Sequence, residues 1–253
     1  MIKKLLVLFV FVAFCSVGAF AGEKISIRAD VWMPYNGDPG SDKPGYGIEL
    51  IKEIFTAKGI EVDYQNIPWN RAIEETRAGK FDCIIGAGKR DAEGFLFPEE
   101  SMGFSLNNLF VKAGNPFKYA GLESIAGLKV GVIADYSYAE FFDKYVEQYK
   151  DDSKRIFIAT GDGALEKMAK MVTAGRLDGF VENPLVVSLE EWKNDVVSAG
   201  EIEGKDTLYV AFSPAKESSK KLAEIWDAGI KELRANGKLK EIMARYGLTD
   251  WAQ

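Results

Sequence analysis

From residue 24 onward the sequence alternates between two hydrophobic periods, and few folds accommodate that alternation. In "KISIRADV" the apolar side chains fall at 25, 27, 29 and 31, a period of two that places them on one face of a strand. In "GIELIKEIFTAKG" they fall at 48, 50, 51, 54 and 55, a helical stripe closed by Gly59. A strand pattern "EVDYQNIP", a helix pattern "WNRAIEETRAGK" and a buried strand "FDCIIGAG" follow. A second series begins near residue 124 with strand "KVGVIA", helix "YAEFFDKYVEQY", strand "RIFIAT", helix "GALEKMAKMVTAG" and strand "RLDGFVE". Strands that alternate with helices predict an α/β fold with largely parallel strands, since each helix returns the chain across its sheet. Two series predict two lobes.

The series echo one another. "ETRAGKFDCIIGAG" at 75–88 and "MVTAGRLDGFVENP" at 171–184 both run helix, Ala-Gly, basic residue, apolar residue, Asp, then strand. Each reads as a helix stopped by glycine, with a cation near its negative end, turning into a core strand. Between the series lie 107–121 and 206–216, extended apolar runs ending in Gly or Pro. A chain that leaves the first lobe and later returns needs two crossings, so these segments are the hinge candidates. The expected lobes are 22–111 with 209–253, and 112–208. The tail carries apolar residues at 222, 225, 226, 230 and 233 and then "NGKLKEIMARYG", which reads as two amphipathic helices.

The first 21 residues have another character. Lys3 and Lys4 precede the unbroken apolar run "LLVLFVFVAF", and "AFA" at 19–21 supplies small residues where a signal peptidase reads them. Cleavage after Ala21 is expected, and with it export of a soluble protein. A lipid anchor on Cys15 is the rival reading, but Phe14 stands where a lipoprotein signal wants a small residue. Loss of both lysines takes the formal charge from −6 to −8, which argues against nucleic acid as a partner. Cys83 then remains alone, so no internal disulfide is expected and the thiol reads as buried filler. The chain contains no histidine, the commonest metal ligand and general base, and no metal site or cofactor is expected.

The order of elements, and the stretches "GYGIELIKEIFTAKG", "AGKFDCIIGAG", "LKVGVIADYSY" and the closing "ANGKLKEIMARYGL", resemble the bacterial extracellular solute-binding proteins of the polar-amino-acid type. The resemblance covers essentially the whole mature chain; "PWNRA" at 68–72 and "YSY" at 136–138 look like a divergent branch. It implies a two-lobed type II periplasmic binding fold that closes on a small polar solute and delivers it to the membrane permease of an ABC importer. A periplasmic monomer is expected.

Ligands in open parallel sheets collect beyond the carboxyl ends of strands, so Trp32 and Tyr35, just past the first strand, are read as cleft wall rather than core caps. Tyr46 and Trp69, each opening a helix, are candidates on the same logic. In relatives that bind amino acids an arginine after the strand matching "DCIIGAG" clamps the ligand carboxylate. Here that position falls near Asp91 to Gly94, and Lys89, Arg90 or Arg71 is the candidate substitute. Arg71 has a competing role in a helix pair with Glu74 or Glu75. Where relatives hold an anion with small hydroxyl residues at a helix start, this chain has "ADYSYA", making Tyr136 and Ser137 candidates and Asp135 a cap. The acid that commonly holds the ligand's ammonium falls on Asn183, with Glu182 beside it, and strand alternation lets only one of the two face the cleft. Two other functions stay open: a sensor module docking on a membrane receptor, and a dehydratase-like enzyme using Glu182, for which no second acid, nucleophile motif or metal cluster is evident.

Overall fold

The computed structural model describes residues 22–252, so the expected signal segment 1–21 lies outside the described residues. Among the described residues eight strands form one curled sheet. They are β1 (Lys24–Ala29), β2 (Glu61–Asn66), β3 (Cys83–Ala87), β4 (Gly103–Lys112), β5 (Val130–Ile133), β6 (Ile156–Ala159), β7 (Gly179–Glu182) and β8 (Val196–Phe212). Seven helices flank them: α1 (Tyr46–Thr56), α2 (Trp69–Arg77), α3 (Glu140–Tyr149), α4 (Ala164–Thr173), α5 (Pro184–Leu189), α6 (Ser219–Ala235) and α7 (Lys238–Arg245). Among the described residues no helix is long and apolar enough to cross a membrane.

The strand order β2-β1-β3-β8-β4-β7-β5-β6 divides the sheet into two halves. In the first, β1 runs parallel to both β2 and β3; in the second, β5 runs parallel to both β6 and β7. The long strands β4 and β8 join them as an antiparallel pair, with β8 also antiparallel to β3 and β4 to β7. Each half has its own core. Ile25, Ile27, Phe55, Ile85, Phe212 and Trp226 pack together in the first. The second half carries one cluster around Val132, Phe142 and Ile202 and another around Phe110, Met168 and Phe180. Each Ile or Phe removed from water in these clusters stabilises the fold by roughly 1.5–3 kcal/mol.

The echoed segments fold alike, down to single bonds. Gly79 and Gly175 adopt left-handed backbone (φ +81° and +70°) just past α2 and α4. The next residue donates its N–H back into the helix, Lys80 to Glu75 and Arg176 to Met171, at 2.9 and 2.8 Å. The aspartate two residues later then clips the neighbouring parallel strand. Asp82 accepts from the Ser26 N–H at 2.7 Å and Asp178 from the Lys129 N–H at 2.7 Å. This repeated motif sets where β3 and β7 start, and so where they stop.

The crossings are longer than the sequence suggested. β8 spans 17 residues despite Gly200, Gly204 and four charged side chains, because β4 supplies partners along most of its length. The register between them slips where Ser105 pairs with Asp206 but Asn107 pairs with Ile202, leaving Glu203 to Lys205 as a bulge. Leu109 to Val111, assigned from sequence to the first lobe, pack into the second half's cores, while Leu208 packs into the first. Continuous strands carry no compositional break at the point where one core gives way to the next.

Candidate binding site

The carboxyl ends of β1 and β7 face each other across a partly open cavity of about 30 Å³. After β1 the chain folds back sharply: the Trp32 N–H donates to the Asn36 carbonyl at 2.7 Å, and the Tyr35 and Asn36 N–H groups both donate to the Trp32 carbonyl at 3.0 Å. The Asn36 amide pins this turn to the strand end by donating to the Asp30 carbonyl at 2.7 Å. Tyr35 is thereby tucked beneath Trp32, with rings 4.2 Å apart and nearly parallel. One aromatic becomes floor and the other wall. Gly86 of β3 makes room for this: its φ is +85°, and a Cβ there would meet Asn36 Oδ1 at 3.1 Å and the Trp32 ring at 3.5 Å.

Three hydrogen bonds span the cavity between the halves. Trp32 Nε1 donates to Glu182 at the end of β7 (3.1 Å), Trp69 Nε1 at the start of α2 donates to the Asp135 carbonyl (3.2 Å), and the Tyr136 hydroxyl donates to Asp30 (2.5 Å). Asp135 is the non-glycine residue with left-handed backbone among the described residues, φ 61°. That conformation presents its carbonyl to Trp69, and Asp135 does not cap α3: the N-cap is Ala139, and Asp143 within the helix accepts from the Tyr138 N–H at 2.9 Å. Tyr136 stands edge-on to both Trp32 and Trp69, with centroids 6.4 and 6.3 Å apart.

The lining carries four carboxylates, Asp30, Asp91, Glu182 and Asp206, and among the described residues no lysine or arginine. Burial dominates their titration. It pushes Glu182 up to about 7, against the opposing Asn183 N–H and Trp32 bonds and with help from the charge of Asp30. Burial likewise pushes Asp30 to about 6, despite the Tyr136 hydrogen bond, and Asp91 to about 6, despite hydrogen bonds from Ser137 and the Gly88 N–H and with Asp206 adding repulsion. Asp206 is also raised by burial, with Arg90 opposing.

Of the residues expected from sequence, Trp32, Trp69, Tyr136, Ser137 and Glu182 line this cavity. Tyr35 and Asn183 lie one layer behind, where Asn183 donates to the Tyr35 hydroxyl and to Ser105 Oγ, both at 2.9 Å. Asn183 Oδ1 also caps α5 by accepting from the Leu185 N–H at 2.8 Å, so of the Glu182–Asn183 pair it is Glu182 that faces in. Tyr46 is a core residue, 2% exposed, among Tyr35, Tyr246 and Trp251.

The three cation candidates stand outside the cavity. Arg71 pairs with Glu75 at 2.9 Å on the outer face of α2, as its helix neighbour allowed. Lys89 is exposed above the Tyr209 ring. Arg90 grips both oxygens of Asp206 at 2.8 and 2.6 Å and lies 3.4 Å from Asp143. The reason is local: the Gly88 N–H bonds to Asp91 and turns the loop so that Asp91 points in. Sequence reading missed Asp30, Asn36, Asp91, Ser105, Asn107 and Asp206. The signal for Asp30 was available, since it sits one residue past a strand's carboxyl end, the position that singled out Trp32.

Residues 27–249 match the family model of the bacterial extracellular solute-binding proteins, family 3. The chain is similar to the probable histidine-binding protein of Campylobacter jejuni, 24% identical over an alignment of 227 residues that covers 86% of this chain and 82% of that one. Its fold is similar to that of a putative L-cystine ABC transporter protein from Listeria monocytogenes, with a TM-score of 0.73 at 18% identity over 90% of this chain and 99% of the other. A histidine kinase sensor domain with similarity to periplasmic binding proteins gives a TM-score of 0.74 at 20% identity, again covering 90% and 99%.

Proposed function

Because the chain belongs to the bacterial extracellular solute-binding proteins of family 3, we propose that it captures a small polar solute outside the cytoplasmic membrane by closing two lobes, then presents the closed complex to the permease of an ABC importer. The observation that carries this reading is the set of three hydrogen bonds, from Trp32, Trp69 and Tyr136, that tie the two halves together around one cavity. A solute held there touches both lobes only in the closed form and therefore shifts the population toward it. The bodies that move are the two cores, parting along β4 and β8 near the Glu203 to Lys205 bulge. The names of relatives, a histidine-binding protein and an L-cystine ABC transporter protein, support import of an amino acid or a related compound.

Trp32 and Trp69 supply rigid apolar walls with polar edges, while Asp30 and Glu182 act as fixed acceptors and not as an acid–base pair. The protein acts as a monomer in the periplasm, after removal of residues 1–21, and binds without turnover. Isothermal titration calorimetry of refolded, ligand-free protein against a broad solute library tests this. A single saturable site with a solute that also contracts the molecule in small-angle scattering is expected. A library without any binder, or binding that leaves the dimensions unchanged, overturns it.

A further inference from the structure

Resting on that reading of the site, the unsatisfied groups of the cavity identify the class of solute. Among the described residues two buried oxygens in the lining have no hydrogen-bond partner, Glu182 Oε2 and Asn36 Oδ1, and a third, Asp91 Oδ1, has only the nearby Ser137 as a donor. Glu182 and Asn36 are each 1% exposed, so water does not replace the missing bonds freely. All three are acceptors. Of the donors around them, Trp32 is bound to Glu182, Trp69 to the Asp135 carbonyl and Tyr136 to Asp30, while the Ser137 hydroxyl stands beside Asp91. Asn36 uses its amide nitrogen on the Asp30 carbonyl, which fixes the oxygen as its free end. The cavity thus offers hydrogen-bond acceptors and negative charge, and it lacks a cation to receive an anion.

Arg90, which follows the strand where amino-acid binders place their carboxylate clamp, is held by Asp206 and Asp143. An α-carboxylate in the cavity would lie among Asp30, Glu182 and Asp91 without a counter-charge, a juxtaposition that costs several kcal/mol. The acids also fall into two groups, Asp30 repelling Glu182 and Asp206 repelling Asp91. Among the described residues no three of these acids converge closely enough to form a metal-binding group.

We infer that the preferred solute is an organic cation bearing N–H donors at two ends and no carboxylate, in the class of short aliphatic diamines and aminoalkyl guanidines. One cationic end meets Glu182, Asp30 and the Asn36 oxygen, and the other meets Asp91. The methylene stem lies against the Trp32 and Trp69 rings, whose faces also attract a cation.

Matched pairs test this directly, because cadaverine is L-lysine without its carboxylate and agmatine is L-arginine without its own. Calorimetry on refolded, ligand-free protein at pH 8 should give the amine of each pair a Kd lower by roughly 100-fold or more. Glu182→Gln, with its fold verified by circular dichroism, should weaken cadaverine and narrow the gap between the pair. An amino acid that equals or beats its amine, or a carboxylate-bearing solute that copurifies and binds more tightly than either amine, overturns this inference and leaves solute capture standing. If cadaverine, agmatine and the wider library all fail to bind, capture falls with it.

Discussion

Replacing Glu182 by glutamine should close the ligand-free protein. The carboxyl is 1% exposed, and burial lifts it from 4.5 to about 7. When the halves part, the ends of β1 and β7 separate and the group regains water and its ordinary value. Below pH 4.5 the carboxyl is neutral in both forms and opposes neither. Between 4.5 and 7 the closed form holds a proton that the open form has lost, so closure weakens steadily as pH rises. Above 7 the full penalty applies, about 3 kcal/mol at 1.36 kcal/mol per pH unit, or roughly 300-fold in the closed-to-open ratio. The groups facing Glu182 are the Asn183 N–H and Trp32 Nε1, which oppose the rise, and Asp30 and Glu190, which add to it. Asp30 and Asp91, each raised to about 6, act with the same sign. Small-angle scattering should therefore show the ligand-free wild type compact at pH 5 and extended at pH 8, with Glu182→Gln more compact than wild type at pH 8. The glutamine oxygen can still accept from Trp32 and the Asn183 N–H, so the cross-cavity geometry survives the exchange. Equal radii of gyration for wild type at both pH values, or a variant as extended as wild type at pH 8, would refute the argument.

Trp32→Ala removes both the stack on Tyr35 and the bond to Glu182, and should weaken solute binding by about 2 kcal/mol, some 30-fold in Kd by calorimetry, while the circular dichroism spectrum is unchanged. Arg71→Ala should leave affinity within about twofold and lower stability by under about 0.5 kcal/mol in urea melts, since the side chain is 56% exposed in an i,i+4 pair. Gly229→Ala should lower the urea midpoint by a net of about 1 kcal/mol or more, because its Cβ would lie 2.5 Å from the Ile54 side chain where α6 crosses α1; an unchanged midpoint would show that Ile54 yields freely.

Much of the architecture was legible because it depends on period. The strand of residues 24–29 and the stripe of α1 each follow from which positions are apolar, and Gly79 and Gly175 mark helix ends that the structure closes with the same pair of bonds. β8 was legible only in its final third, since its first part is held by β4 and not by its own propensity. The cavity divides along the same line. Trp32, Trp69 and Glu182 stand where strands or helices end, a location the sequence reveals. Arg71 follows Trp69 by two residues, and about 200° of helical rotation carries it to the opposite side, so the helix that directs Trp69 inward turns Arg71 out. Asp91 required a loop conformation set by its bond from the Gly88 N–H, and Asp206 a strand register against Ser105, more than a hundred residues away.

The pairing of β4 with β8 has a mechanical consequence. Two separate tethers would let the halves slide, twist and bend independently, but a hydrogen-bonded ribbon resists sliding because shear breaks its rungs one by one. Flexure at the slipped register near Glu203 to Lys205 is the compliant mode that remains, so the halves swing about one axis. With a single coordinate, the contacts made by Trp32, Trp69 and Tyr136 engage in unison, and the jaw acts as a latch.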